Sequence, residues 1–357
     1  MNIAINTIPL QTAHKYRGIG YYTKFLIDSL KKHTDLEIME FTNLSQVRNC
    51  GIIHYPWFDL FFQSLPVRRN LPTVVTIHDV IPLIFPDFYP KGIRGKFNFF
   101  LQKIALRSCR NIITDSAASK KDIEKYLKVP ANKITVIPLA SADEFKIIRT
   151  DTMLYIKKKF RLPDRFLLYV GDANRAKNIP FLIKGFRELL KINGQEDLKL
   201  VLAGGVFLKN VENIDHPELK GIKDVNRLIK EYRLEEKIIK PGYIGNKDLA
   251  VFYNLATIYI QPSLYEGFGL PVVEAFSCGT PVACSDRGSL PETGGNAAVY
   301  FDPQNLWQFV TIIKELLEDV SLRDKLSRLG LLQASKFTWK KTALATKKVY
   351  LNSLNND

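Results

Sequence analysis

The sequence predicts an α/β protein built as two doubly wound, parallel-sheet, Rossmann-like domains. Three observations carry that expectation. Short β-rich runs alternate with helix-length segments along all 357 residues, the runs fall into two sets, and glycine-bearing turns open into helices directly after some of them. The first set is "NIAIN", "GIIHY", "TVVTI", "NIIT" and "ITVIP". The second is "FLLYV", "KLVLAGG", "KIIKPG", "TIYIQP" and "PVACS". Runs this short and this apolar are the pattern of parallel strands covered on both faces by crossover helices. Between the sets the charged stretch Ser141 to Arg165 reads as a linker, which gives domains at 1–150 and 151–337. The segment 338–357 reads as an amphipathic helix, able to cross back to the first domain, with Trp339, Leu344, Val349 and Leu351 available for packing. Two such domains facing each other would place the carboxyl ends of their strands around one cleft, where open α/β sheets bind ligands.

Composition removes several classes. With 46% apolar and 24% charged residues the chain is ordinary globular material, and a formal net charge of +15 points to polyanionic company: nucleic acid, an anionic membrane face or phosphorylated substrates. No apolar run reaches the roughly 18 residues of a spanning helix. "MNIAINTIPL" lacks the basic start of a signal peptide, so a cytoplasmic location is expected. The four cysteines form no CxxC pair and no D-x-D motif occurs, so neither a zinc site, a disulfide framework nor another metal is expected.

The chemistry concentrates after strands. In "LYEGFGLPVVEAFSCGTPV", Glu266-Gly267-Phe268-Gly269 reads as a turn, Pro271 as the first helical residue and Gly279 as the stop. Glycines before a helix let backbone N–H groups approach a phosphate, which the helix N-terminus favours. Glu266 and Glu274 would repel phosphate, so they are read as acceptors for hydroxyls on either side of it. A nucleotide sugar has that layout. In "LLYVGDANRAKNIPFLIKGF", Arg175 and Lys177 lie in the turn after a strand, where fixed cations can bear the charge of a departing diphosphate. "RGIGYYTKFLIDSL" gives a second glycine-rich helix entry at Gly18 and Gly20, for an acceptor or a phosphate. "TVVTIHDVIPL" brings His78 and Asp79 out of a strand end, while His54 in "GIIHYPW" reads as structural.

These segments closely resemble the family 4 glycosyltransferases, retaining enzymes of the GT-B fold, through most of the chain. The family's Glu-x7-Glu signature with its E-G-F-G-L-P core is present as Glu266 to Pro271 with Glu274 completing the spacing. The resemblance implies that Glu266 with Gly267, Phe268 and Gly269 holds the donor sugar, that amides near Leu270 hold the diphosphate, and that Glu274 binds the ribose. It implies that Lys177 neutralises the leaving group and that His78 lines the cleft near the reacting sugar. In the family's common Arg-Lys-Asn form the arginine would fall on Ala176, so Arg175 is a shifted substitute. The implied mechanism is front-face: the leaving phosphate takes the acceptor's proton, with no protein nucleophile and no metal or other cofactor. "HDVIPLIFPDFYP" is similar to the same region of mannosyltransferases, which favours a GDP-mannose donor.

Residues 91–133 hold eleven lysines and arginines against three acidic residues. Within "RGKFNFFLQKIALRSCR" a basic stripe of Lys96, Lys103, Arg107 and Arg110 runs beside an apolar stripe of Phe97, Phe100, Leu101 and Ile104. Two readings stand: a leaflet-bound helix, or a surface helix with its apolar face in the core. The function expected is hexose transfer from a nucleotide sugar to a glycan or lipid-linked glycan in polysaccharide or cell-envelope assembly. The alternatives are a nucleotide-sugar binding protein of the same fold without transfer activity, which the intact Glu266, Lys177 and Glu274 oppose, and a basic nucleic-acid-binding protein. The latter would need base-stacking aromatics interleaved with the charge, and none is found.

Overall fold

The computed structural model describes all residues except 13–17, 150, 212, 213, 215, 356 and 357. Arg17, which opens the first glycine-rich stretch, therefore lies outside the described residues. The chain forms two units: Met1–Ala140 with Phe337–Asp357, and Ser141–Lys336.

The first unit is built on a six-stranded sheet ordered β2-β1-β3-β4-β5-β6. Its strands are β1 (Asn2–Asn6), β2 (Glu37–Phe41), β3 (Ile52–Tyr55), β4 (Thr73–Thr76), β5 (Asn111–Thr114) and β6 (Ile134–Val136). Every pairing is parallel. Ile3, Ala4, Ile52, Val74 and Val75 are wholly buried, as a sheet covered on both faces requires. The chain runs from β1 to β2 on one side, then returns to β3 on the other. The strand order reverses between β1 and β3.

The helix Trp339–Asn355 packs on the helix Gly18–His33 and on β3 to β5. Its inward face is Ala343, Thr346, Val349, Tyr350 and Ser353, an i, i+3, i+4 series. Leu344 and Leu351, expected to pack, lie off that face and are more than 40% exposed. The register is set by polar contacts that hydrophobicity does not reveal. Asn111 Nδ2 donates to Ser353 Oγ at 2.8 Å and Thr342 Oγ1 donates to the Pro138 carbonyl at 2.8 Å.

The second unit repeats the design with β7 (Phe166–Val170), β8 (Lys199–Ala203), β9 (Ile238–Gly242), β10 (Ile258–Gln261), β11 (Val282–Ser285) and β12 (Ala298–Phe301). The order is β12-β11-β10-β7-β8-β9, all parallel. Here the order reverses between β7 and β10. The loops leaving these two neighbouring strands share one edge of the sheet, the position where doubly wound sheets bind ligands.

The stretch Ser141 to Arg165 is not a free linker but part of this unit. A helix, Asp151–Lys159, forms within it. Phe145 packs edge-on against Tyr253 and Phe160 against Phe252, while the Ile148 N–H donates to Asn254 Oδ1 at 2.8 Å. Its charges conceal the apolar residues Phe145, Ile156 and Leu162, which are buried.

Candidate active site

The turn after β7 is fixed before any functional side chain is placed. Gly204 permits the loop after β8 to press against it, since a Cβ there would lie 2.1 Å from the Gly171 carbonyl oxygen. Arg175–Lys177 forms one 3-10 turn. Asn178 closes it in the left-handed region at φ 57°, its Nδ2 donating to the carbonyls of Pro262 at 3.2 Å and Pro303 at 3.0 Å. The Leu264 N–H donates to the Ala176 carbonyl at 2.7 Å, binding this turn to the one leaving β10.

That juxtaposition brings Lys177 to Glu266. The Lys177 ammonium donates to both carboxylate oxygens at 2.8 Å. Glu266 Oε1 also accepts from Gln261 Nε2 at 2.6 Å and Ser263 Oγ at 2.5 Å. Tyr259 in turn donates to Gln261. The Glu266 side chain is 9% exposed and the Lys177 side chain 25%, so the ammonium is the member of the pair that reaches solvent. A carboxylate held this way is a fixed acceptor for hydroxyls, and the ammonium beside it a cation for phosphate.

Past Glu266 the backbone is stapled by the segment that follows β11. The Ser289 N–H and Oγ donate to the Glu266 carbonyl at 3.2 and 3.0 Å, and Thr293 Oγ1 donates to the Phe268 carbonyl at 2.6 Å. Gly269 takes φ 91°, a conformation that glycine adopts without strain, and turns the chain into the helix Leu270–Ser277. The helix starts at Leu270, one residue before the expected Pro271, because proline serves equally in the first turn where N–H groups have no helical partner. Gly267 and Phe268 complete the turn, and Phe268 is buried.

Glu274 sits on this helix, half-buried, accepting from the Tyr253 hydroxyl at 2.9 Å. Burial pushes its carboxyl up to about 7, against the opposing effect of that hydrogen bond. Near neutrality its charge is therefore responsive to whatever donates to it. Arg175 shares the 3-10 turn with Lys177 and is half-buried.

The first unit carries the remaining candidates. Gly18 is the first residue of its helix and is exposed, and a Cβ there would meet nothing within 4 Å. Gly20 is buried. His78 follows β4 and gives Asp115, at the end of neighbouring β5, a 2.7 Å contact from Nδ1 to Oδ2. Burial opposes its protonation, but the charge and hydrogen bond of Asp115, with the Asp79 charge and the Pro56 carbonyl, outweigh it, so His78 is held above the ordinary histidine value. His54 is the opposite case. It is wholly buried, with Nδ1 2.6 Å from the Tyr350 hydroxyl and Nε2 2.9 Å from Thr76 Oγ1, and desolvation drives it down to about 3. It is neutral and structural.

Gln261, Ser263, Tyr253 and Asp115 were not singled out by sequence reasoning. The first two had a visible signal: a polar pair, in "IYIQPS", closing an otherwise apolar strand. Tyr253 and Asp115 had none, since each is brought to its partner by packing between elements.

The outward face of the helix Ile93–Arg107 is the other departure. Its buried residues are Gln102, Ala105 and Leu106, while Ile93, Phe97 and Phe100 are 88%, 62% and 60% exposed. The apolar stripe is divided: Phe97 and Phe100 face outward, while Leu101 and Ile104 are half-buried beside the buried Ala105 and Leu106. No helix among the described residues is long and apolar enough to cross a membrane, and no group of three or more His, Cys, Asp or Glu that could hold a metal ion occurs among them.

Comparison with known proteins follows these features. The family profile described as "Glycosyl transferases group 1" matches residues 155–330, and "Glycosyltransferase Family 4" matches residues 25–140. O-antigen chain mannosyltransferase B of Escherichia coli is 30% identical over 280 residues, which is 78% of this chain and 69% of that protein. The serotype-specific mannosyltransferase WbdA of Escherichia coli is 30% identical over 80% of this chain, which spans 34% of WbdA's length. Among solved structures, sucrose-phosphate synthase of Thermosynechococcus elongatus superposes with a TM-score of 0.76 at 19% identity, covering 99% of this chain and 98% of that one. Anabaena HepE in complex with UDP-glucose gives 0.71 at 15% identity, covering 99% and 100%. The two parallel sheets, the match in both halves and the relatives together place this chain in the glycosyltransferases of the family 4, group 1 type, with the GT-B fold.

Proposed function

We propose that this protein is a retaining, metal-independent mannosyltransferase that takes its sugar from GDP-mannose and elongates a glycan or lipid-linked glycan at the cytoplasmic face of a membrane. The observation that carries the donor site is the buried Glu266 carboxylate, ion-paired to Lys177 beside a glycine turn and a helix start at the reversal of strand order. On this reading Glu266 and the Gly267 to Gly269 backbone accept and position the sugar hydroxyls, the amides near Leu270 meet the diphosphate, and Glu274 takes the ribose. Lys177, with Arg175 beside it, bears the charge that develops on the leaving diphosphate, the largest effect available to a site that uses no metal. His78, and the Gly18 and Gly20 helix entry, serve the reacting sugar and the acceptor. The mannosyl donor is supported by the named activities of the Escherichia coli relatives, and a nucleotide-sugar ligand by the HepE complex. Membrane contact is supported by the exposed Ile93, Phe97 and Phe100 ridge with Lys96, Lys103 and Arg107 along its flank.

Thermal stabilisation by a panel of nucleotide sugars, followed by transfer to glycan acceptors, tests the donor. A ligand at 100 times its Kd adds about 2.7 kcal/mol of stability. GDP-mannose is expected to stabilise most and to yield an α-linked product, with activity unchanged by EDTA. Stronger stabilisation and turnover with a uridine nucleotide would replace the donor, and a β-linked product would refute retention.

A further inference from the structure

We propose that Asp115 is a positioning residue that holds His78 as a charged donor, its Nε2–H presented to an oxygen of the bound substrate. The inference rests on the reading of His78 as a substrate-facing group. Its own basis is the geometry at the ends of two adjacent strands.

His78 lies two residues beyond β4 and Asp115 one residue beyond β5, strands paired in parallel register. The Nδ1 to Oδ2 contact of 2.7 Å is the length of a charge-assisted hydrogen bond, and the Asp115 side chain is 3% exposed. With Asp115 accepting, the Nδ1 proton is fixed and the ring cannot rotate without losing that bond. Tyr22, from the helix Gly18–His33, closes a third side with its ring edge-on at 4.7 Å and 88°. Nε2 is buried and makes no well-aligned hydrogen bond among the described residues, and the Pro56 carbonyl is the backbone acceptor that faces the ring. A buried polar atom in that condition costs stability unless something meets it, and such costs persist where function needs the group.

The groups facing His78 decide its charge. Against desolvation, Asp115, by its charge and its hydrogen bond, then Asp79 on the same loop as His78 and the Pro56 carbonyl favour the imidazolium. Burial raises the Asp115 carboxyl, and His78 opposes that rise. Tyr22 hydrogen-bonds Thr76 at 3.0 Å, and its hydroxyl is raised far above the range in which it would ionise. His54, on β3, would repel a second imidazolium, but it is held neutral between Tyr350 and Thr76. Among the described residues, the groups acting on His78 are two carboxyl groups and the Pro56 carbonyl, with no cation beside them. An imidazolium donates from Nε2 where a neutral ring with its proton on Nδ1 could only accept. The charged form thus suits an oxygen that gains negative character as the diphosphate departs from the sugar.

The test is Asp115→Asn in the full chain, with Asp115→Glu as the conservative control, read in two ways. Ring NMR should place the wild-type His78 midpoint above the ordinary 6.5, and Asn should lower it by about one pH unit or more, with Glu restoring most of the shift. The kcat/KM profile for mannosyl transfer should fall on the alkaline side in the wild type. In the Asn variant that limb should move to lower pH by the same amount, giving a loss of about tenfold near pH 7.5 that largely recovers at low pH. A merely structural Asp115 would lower activity equally at every pH. That result, or a His78 midpoint unmoved by Asn, overturns the proposal. Failure of every nucleotide sugar to support transfer strikes the donor reading instead, and leaves the NMR midpoint to decide the Asp115 relation.

Discussion

The Lys177–Glu266 pair can be weighed by a double-mutant cycle, Lys177→Ala, Glu266→Ala and both. At 2.8 Å the gross attraction is about 6 kcal/mol for an effective dielectric of 20. Desolvation of two largely buried charges takes back several kcal/mol of that. Lys177 keeps a quarter of its side chain in solvent, so it can rehydrate when its partner is lost, whereas Glu266, at 9% exposure, cannot. The two losses therefore differ in kind. Glu266→Ala removes the acceptor of four hydrogen bonds and should cost about 3 kcal/mol, the low end for a broken buried pair. Lys177→Ala leaves a carboxylate that cannot rehydrate, met only by Gln261 and Ser263, and should cost at least as much, about 3 to 4 kcal/mol. The coupling between them should be about 2 kcal/mol. Because the chain has two units, the assay must report on the second alone: hydrogen exchange of peptides from β7 and β10 across a urea series. A coupling below about 0.5 kcal/mol would show that the two side chains are neighbours rather than partners, and the idea of a pre-set acceptor and cation would fall with it.

On the proposed ribose role, Glu274 should make nucleotide binding depend on pH. Its free-state value near 7 lies above the ordinary carboxyl value, and ribose hydroxyls donating to it favour the ionised form, so binding releases a proton and affinity rises with pH until about 7, then levels. Titration calorimetry in buffers of different ionisation heat should detect that proton in the wild type and not in Glu274→Gln, and a flat wild-type affinity from about pH 5.5 to 7.5 would remove Glu274 from the ribose site. For the exposed helix, Phe97→Ser with Phe100→Ser should weaken binding to anionic vesicles by a salt-insensitive amount, while Lys96→Glu with Lys103→Glu should weaken it by an amount that shrinks with salt, at about 1 kcal/mol per charge. Equal retention of all variants, or no vesicle binding by the wild type, would end the membrane reading.

The sequence by itself determined the fold class, because strands buried on both faces must be apolar at nearly every position and so stand out as runs. "NIAIN", "FLLYV" and "NIIT" became β1, β7 and β5 with their ends unchanged. It missed β2 and β12, the edge strands at one side of each sheet. "EIMEF" is exposed at Glu37 and Glu40, and an edge strand with one free side tolerates polar residues that blur the pattern. The Glu266 to Glu274 segment was legible for a related reason: glycine and proline in a turn before a helix constrain the backbone locally, whatever surrounds them. Only the tertiary structure decided which groups meet. Lys177 and Glu266 lie 89 residues apart and touch because β10 returns to the side of β7, and Asp115 reaches His78 across β4 and β5 in the same way. The tertiary structure also set the charge of the two histidines, which the sequence separates only by their places within a strand and at a strand end. His54 and His78 differ because one lies between two hydroxyls and the other beside two carboxyls. It decided, too, that Phe97 and Phe100 face outward. A helical stripe fixes which residues share a face, but the face that turns to the core is chosen by what the rest of the chain packs against it, here Gln102, Ala105 and Leu106.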